Sequence, residues 1–168
     1  IVGNEGCPAY SRPALSKALL REDEHLTAHE LPAPTHGADE RLGVGVVRLE
    51  PSTRRLELSD GDILEYDGLV IASGSHARRL GSLEDEFVLR TFADALAIRE
   101  QIADSPDVVI VGAGPLGMEI ASGALDAGCR VTIVTNATPM SRVLGEHLGS
   151  LLAAAAAERG ANIVMTAA

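Results

Sequence analysis

The chain is 168 residues long, 46% apolar and 23% charged, with a formal net charge of -10. That length admits one domain or parts of two with a real core, and the acidic balance argues against a nonspecific nucleic-acid binder, which needs clustered Lys and Arg to displace counterions. Aromatic residues make up only 2%, so the core must be built from Val, Ile, Leu and Ala. No apolar run reaches the roughly 20 residues that cross a bilayer, and no cleavable signal opens the chain, so a cytoplasmic protein with no membrane partner is expected. Cys7 and Cys129 make no CxxC, and two lone thiols fit a reducing compartment.

Residues 1–40 read as polar loop, rich in Pro, His and acidic residues, around a helix-like stretch over 12–20. Residues 44–49 and 55–58 recur near period two and predict two antiparallel strands, with Asp60-Gly61 as a turn and a short strand at 63–64. The apolar run Leu69-Val-Ile-Ala72 reads as a buried central parallel strand. Ala95, Leu96, Ile98 and Ile102 fall at helical spacing and predict a connecting helix over 92–103, stopped before Asp104-Ser-Pro106. Next come the strand Asp107-Val-Val-Ile-Val111, a glycine-rich turn, an apolar helix to about Ala127 capped by Gly128, and the strand Arg130-Val-Thr-Ile-Val134. A second helix over 143–159, stopped by Gly160, leads to a last strand over 162–165. Strand, helix and strand in this order predict a parallel α/β architecture. The opening Ile-Val-Gly and the apolar run at the close lead to the expectation of an internal piece of a longer protein.

The strongest motif is Gly112-Ala-Gly114-Pro115-Leu116-Gly117, because it follows a buried strand and opens a helix. Gly112 permits the tight turn, Gly114 lets the main chain approach a pyrophosphate, and Gly117 lets the helix pack close to the strand. Unpaired N–H groups at the helix start then face the phosphates. Dinucleotide sites place an Asp or Glu at the end of the second strand, on the adenosine ribose. Here that place is Thr135-Asn136. Loss of the carboxylate removes the repulsion that excludes a 2′-phosphate, yet no Arg follows at once to bind one; Arg142 is the nearest cation. The nicotinamide is left open as NAD(P)H, with NADH slightly favoured for want of a positive clamp. Glu119 sits in the first turn of the helix, where dipole stabilisation or a role near the nicotinamide both account for it. His25 and His29, four apart, lack a third ligand and the Glu of a zincin, so no metal is expected.

Read in order, Glu5, Tyr10-Ser-Arg12-Pro-Ala-Leu-Ser-Lys17, Tyr66-Asp-Gly-Leu-Val-Ile-Ala72-Ser73-Gly74-Ser-His-Ala-Arg78 and Val109-Ile-Val-Gly-Ala-Gly-Pro-Leu-Gly-Met-Glu119 resemble the ferredoxin-reductase branch of the FAD-dependent pyridine-nucleotide oxidoreductases. Arg-Pro-x-Leu-Ser-Lys is the most discriminating of these segments. The resemblance implies a Rossmann-like FAD/NAD(P)-binding fold with a small antiparallel element. Residues 1–92 would be part of the FAD domain, and 93–168 the start of the NAD(P) domain. It implies that Glu5 holds the FAD adenosine ribose, that Arg12 and Lys17 contact the flavin or its phosphates, and that the main chain at Val46 meets adenine. Lys17 would lie near the redox-active edge of the isoalloxazine. Ala72-Ser73-Gly74 stands where Ala-Thr-Gly is usual, beside FAD. Arg78 matches the motif's Arg, whereas Ala77 replaces a common Pro. Cys7 lies near a redox cysteine of thiol-dependent relatives, but the Tyr-x-Arg-Pro context favours the non-thiol branch.

The function implied is hydride transfer from NAD(P)H to FAD and delivery of electrons to a ferredoxin or another iron-sulfur acceptor. A basic patch around Arg12, Arg78 and Arg79 is the docking surface expected. Alternatives are a redox-signalling module like the apoptosis-inducing-factor group, or the flavin part of an NADH-dependent nitrite reductase. The first GxGxxG unit of the flavin domain is missing from these residues. The chain alone is therefore expected to bind FAD poorly and to turn over little.

Overall fold

The computed structural model describes all residues except 22–24, 36, 82–84, 105 and 168, with only the backbone described at Leu19 and Arg21. Ser105, in the predicted stop of the connecting helix, lies outside the described residues. The chain divides into two units, one made of Ile1–Ser11 and His29–His76, the other of Arg12–Ala28 and Ala77–Ala168.

In the first unit, β1 (Val2–Gly3) pairs in parallel with β2 (Arg41–Leu42). Strands β3 (Val46–Glu50), β4 (Arg55–Leu58) and β5 (Ile63–Glu65) form an antiparallel sheet in that order. The period-two pattern is clearest in β4, where Leu56 and Leu58 are buried and Arg55 and Glu57 are exposed, because one face of this sheet meets a core and the other meets water. On the wet face Arg55 donates to Glu65 Oε1 from Nε at 3.0 Å and Nη2 at 2.7 Å. The expected strand over 44–49 starts two residues later, where the register shifts between Val46 and Arg48.

One expected strand of this unit is absent. Leu69-Val-Ile-Ala72 takes no strand conformation, and Val70 and Ile71 are 89% and 70% exposed. A strand exists only where backbone groups have a ladder to join, and no described strand pairs with this segment.

In the second unit the expected helix over 12–20 is broken into a 3-10 turn (Arg12–Ala14) and a short α1 (Ala18–Arg21). Its bonds run three residues back, from Leu15 N–H to Arg12 O, Lys17 N–H to Ala14 O and Leu20 N–H to Lys17 O. The tighter winding turns Leu15, Ser16 and Leu20 inward together. Helix α2 (Phe92–Asp104) begins with a reciprocal cap. Asp94 N–H donates to Thr91 Oγ1 at 3.2 Å, while Thr91 N–H donates to Asp94 Oδ2 at 2.8 Å. Thr91→Ala is expected to lower the unfolding free energy by about 1 kcal/mol, read from the urea midpoint at unchanged slope.

Strands β6 (Asp107–Val111), β7 (Arg130–Thr135) and β8 (Asn162–Met165) form a parallel sheet in chain order, linked by α3 (Pro115–Asp126) and α4 (Ser141–Glu158). Both helices end in the same way. Gly128 and Gly160 take φ of +87° and +99°. Cys129 N–H reaches back to Ala124 O and Ala161 N–H to Ala156 O, each at 3.0 Å, and both residues are buried. The core is aliphatic and small: Ile98, Ile102, Ile110, Ala121, Ala124, Val131 and Ile133. The small alanine side chains on α3 let the helix lie close to the sheet. The opposite side of β6 carries Val109 and Val111, 67% and 60% exposed. The architecture is the expected α/β, with a parallel Rossmann-like sheet and a small antiparallel element.

Candidate dinucleotide site

The site is built at the carboxyl end of β6. Apolar Val108 to Val111 carry the chain along the sheet, and Gly112, at φ +103°, turns it into α3 through a conformation that costs an L side chain strain. Gly112 N–H donates to Val134 O at 2.8 Å, so the turn is fastened to the end of the neighbouring strand. Gly117 answers a different need. A Cβ there would stand 2.0 Å from Gly112 O and 3.1 Å from Gly112 C, so only glycine lets α3 rise this close to its own turn. Gly114 answers neither: its φ is -79° and ψ -176°, and a Cβ would meet nothing within 4 Å. The fold itself makes no demand for glycine at this position.

Pro115 occupies the first turn of α3, and no side chain caps the helix at Gly114. The amino end therefore keeps its partial positive charge directed at the loop. Leu116 is 45% exposed beside it. Residues 136–140 close the other side, with Met140 N–H donating to Ala113 O at 2.8 Å from a left-handed φ of +63°. Between them lies a cleft of about 170 Å³ lined by the glycine loop, Thr135, Asn136, Thr138, Ser141 and Arg142. Thr135 is buried and its hydroxyl donates to Ala137 O at 2.9 Å, so it serves its own turn. Asn136 is the exposed side chain at the mouth of β7. Its Oδ1 accepts from Arg142 Nη2 at 3.4 Å. A cleft with a helix start on one side, a guanidinium on the other and no carboxylate in its lining suits a phosphate-bearing ligand.

Glu119, expected in the first turn of α3, lies beyond it because the helix already begins at Pro115, and among the described residues it meets Ser16 and Lys17 of the Arg12–Ala28 segment. Its Oε2 accepts from Ser16 Oγ, and Lys17 Nζ lies 3.0 Å from the same oxygen. Lys17 also donates to Pro13 O at 3.2 Å. Arg12 Nη1 donates to Arg90 O at 2.8 Å, just before α2. Arg78 is exposed. Among the described residues, Glu50 and Asp107 carry carboxyls held below their usual range. Glu50 is lowered by the Ser52 hydroxyl and then by Arg48, and Asp107, at the far end of β6, by its paired bonds to Arg130.

In the first unit Glu5 accepts the Tyr10 hydroxyl, and the Tyr10 ring is buried. Val46 is 48% exposed at the start of β3. Ala72, Ser73 and Gly74 are exposed, with Gly74 at φ +69°. Among the described residues no group of three or more His, Cys, Asp or Glu side chains could hold a metal ion, and no helix is long and apolar enough to cross a membrane. Ser16, inside Arg-Pro-x-Leu-Ser-Lys, has no role legible in the sequence, and Thr138 and Ser141 reach the cleft with no signal beyond their place after β7.

The chain resembles known proteins over its whole length. It is 37% identical over 174 residues to the ferredoxin--NAD(+) reductase component of the anthranilate 1,2-dioxygenase system of Burkholderia cepacia, covering 98% of this chain and 43% of that protein. Rhodocoxin reductase of Rhodococcus erythropolis is 33% identical over 172 residues, 97% of this chain and 40% of the relative. Among solved structures, the ferredoxin reductase for the CYP199A2 system from Rhodopseudomonas palustris superposes with a TM-score of 0.90 at 28% identity, over 98% of this chain and 43% of the other. The chain thus spans less than half the length of the relatives it matches. The pattern of the pyridine nucleotide-disulphide oxidoreductases matches residues 1–168. On the strength of that match, the glycine loop and the parallel sheet that carries it, this chain belongs to the pyridine nucleotide-disulphide oxidoreductase family.

Proposed function

We propose that this chain is part of a cytoplasmic flavoprotein that takes a hydride from NAD(P)H, NADH by preference, and passes electrons to a ferredoxin-like iron-sulfur protein. The observation that carries the reading is Gly114, a glycine with ordinary dihedrals and open space over its Cα. A residue kept bare where the fold would accept a methyl group fits close approach by a ligand, and a pyrophosphate at the uncapped start of α3 is the ligand this geometry suits. The name of one relative, rhodocoxin reductase, supports electron flow toward a protein acceptor, and the name of the other pairs ferredoxin with NAD(+).

On this reading residues 93–168 begin the nicotinamide domain, with Gly112, Gly114, Pro115, Leu116 and Gly117 around the pyrophosphate and Thr135 and Arg142 toward the adenosine. Residues 1–92 contribute to the flavin domain through Glu5, Arg12, Lys17, Val46, Ala72, Ser73, Gly74 and Arg78. FAD, when bound, would supply the step from a two-electron donor to a one-electron acceptor. Lys17 would offset negative charge gathering at the flavin edge, and Glu119 would keep that ammonium in place. The preference for NADH is supported by Arg142, the only cation among the described residues lining the cleft, whose guanidinium is directed at Asn136 and so engaged within the chain.

The test is calorimetric titration of the chain with NADH and with NADPH. Saturable binding of NADH, a few-fold tighter than NADPH, is expected. Absence of binding by either nucleotide would remove the reading, and tighter NADPH would reverse the preference.

A further inference from the structure

We propose that Ser16 is a positioning residue for the Lys17–Glu119 pair, fixing the Glu119 carboxylate through a buried hydroxyl; this rests on the proposed placing of that pair beside the reacting cofactors. Among the described residues only Ser16 and Thr135 are buried polar side chains, at 5% and 8% exposure. Thr135 satisfies itself within its own turn. Ser16 instead spends its hydroxyl on Glu119 Oε2, a carboxylate 103 residues away in sequence.

Among the described residues Ser16 and Lys17 donate to that oxygen, and they differ in what they can hold still. Lys17 reaches it along four rotatable bonds, and the Lys17 and Glu119 side chains are 55% and 36% exposed. An ion pair between long, hydrated side chains is weak and mobile. Ser16 has one rotatable bond and is packed on all sides, so its donor direction is set by the backbone, and a hydroxyl bond to a carboxylate is among the stronger kinds. The 3-10 winding of the Arg12–Ala14 turn and of the residues after it brings Ser16 inward at this point. Ser16 thus determines where the carboxylate sits, and the carboxylate determines where the Lys17 ammonium rests. Remove the hydroxyl and the ion pair persists, but its place in the site is no longer defined.

The experiment compares Ser16→Ala and Ser16→Thr with the parent sequence by two readouts. In the 168-residue chain, the side-chain carboxyl carbon of Glu119 is followed by NMR with 13C-labelled glutamate, assigned through Glu119→Gln. In the flavin-loaded protein that contains this chain, the single-turnover rate of flavin reduction is measured across NADH concentrations. Ser16→Ala should shift or broaden the Glu119 resonance and slow reduction at saturating NADH by about tenfold, with the half-saturating concentration little changed, as a misplaced rather than a missing group does. Ser16→Thr, which keeps the hydroxyl, should restore both. An unmoved Glu119 resonance in Ser16→Ala, or a Ser16→Thr variant as impaired as Ser16→Ala, overturns the proposal. Should Ser16→Ala fail to fold, Ser16→Cys, with a far weaker donor of similar size, takes its place under the same criteria. A resonance that depends on Ser16, combined with an undiminished rate in Glu119→Gln, overturns instead the functional placing of the pair.

Discussion

Gly117→Ala is expected to lower the unfolding free energy by about 3 kcal/mol or more, the upper end of what an overpacked methyl costs. The added Cβ would stand 2.0 Å from Gly112 O and 3.5 Å from Ile110 Cγ2. The first of these atoms belongs to the backbone of the tight turn, which cannot rotate aside as the end of a side chain can. Relief requires either lifting α3 from β6, which opens the packing of Ala121 and Ala124 against Ile110 and Ile133, or changing the turn at Gly112. Denaturant unfolding at constant slope measures the loss. A loss below about 1 kcal/mol would mean that α3 has room the structure does not give it.

The same substitution three residues earlier should do the reverse. Gly114→Ala is expected to leave stability within about 1 kcal/mol of the parent, because a Cβ there meets nothing and the dihedrals suit any residue. NADH affinity, by contrast, should fall about tenfold or more, the equivalent of 1.4 kcal/mol, since a methyl group would stand where the pyrophosphate must come within contact of the main chain. Calorimetric titration of the two alanine variants with NADH separates a glycine needed by the fold from one needed by a ligand. Unchanged affinity in Gly114→Ala would place the nucleotide somewhere other than the start of α3.

The parallel half of the chain was legible in the sequence because its punctuation is strong. Pro106 and Gly112 bracket β6, and Gly128 and Gly160 end the two helices, so strands Asp107–Val111 and Asn162–Met165 fall where the apolar runs put them. Leu69-Val-Ile-Ala72 misled for a physical reason. Composition reports that a segment could be buried, whereas a strand needs a neighbour, and neighbours are a property of the whole sheet. The stretch over 12–20 misled differently, since apolar spacing near Leu15 and Leu20 is shared by an α-helix and by a 3-10 winding that breaks and resumes. The three glycines of the loop look alike in the sequence, and only the atoms around each one separate strain, contact and vacancy. Ser16 was beyond reach of any local pattern, because its partner is Glu119 on α3.

The second unit is discontinuous, and this bears on how it opens. Its Arg12–Ala28 segment is separated from Ala77–Ala168 by the excursion over 29–76, whereas β6, α3 and β7 are joined by short turns. The early segment is therefore held to the rest of the unit by its packing and hydrogen bonds rather than by a short link of chain. Fluctuations of the folded unit should begin there, with the Ser16 and Lys17 grip on Glu119 releasing while the glycine loop and its sheet stay closed. A nucleotide seated at the start of α3 would then rest on the most persistent part of the unit, and the charge pair beside it on the part most ready to let go.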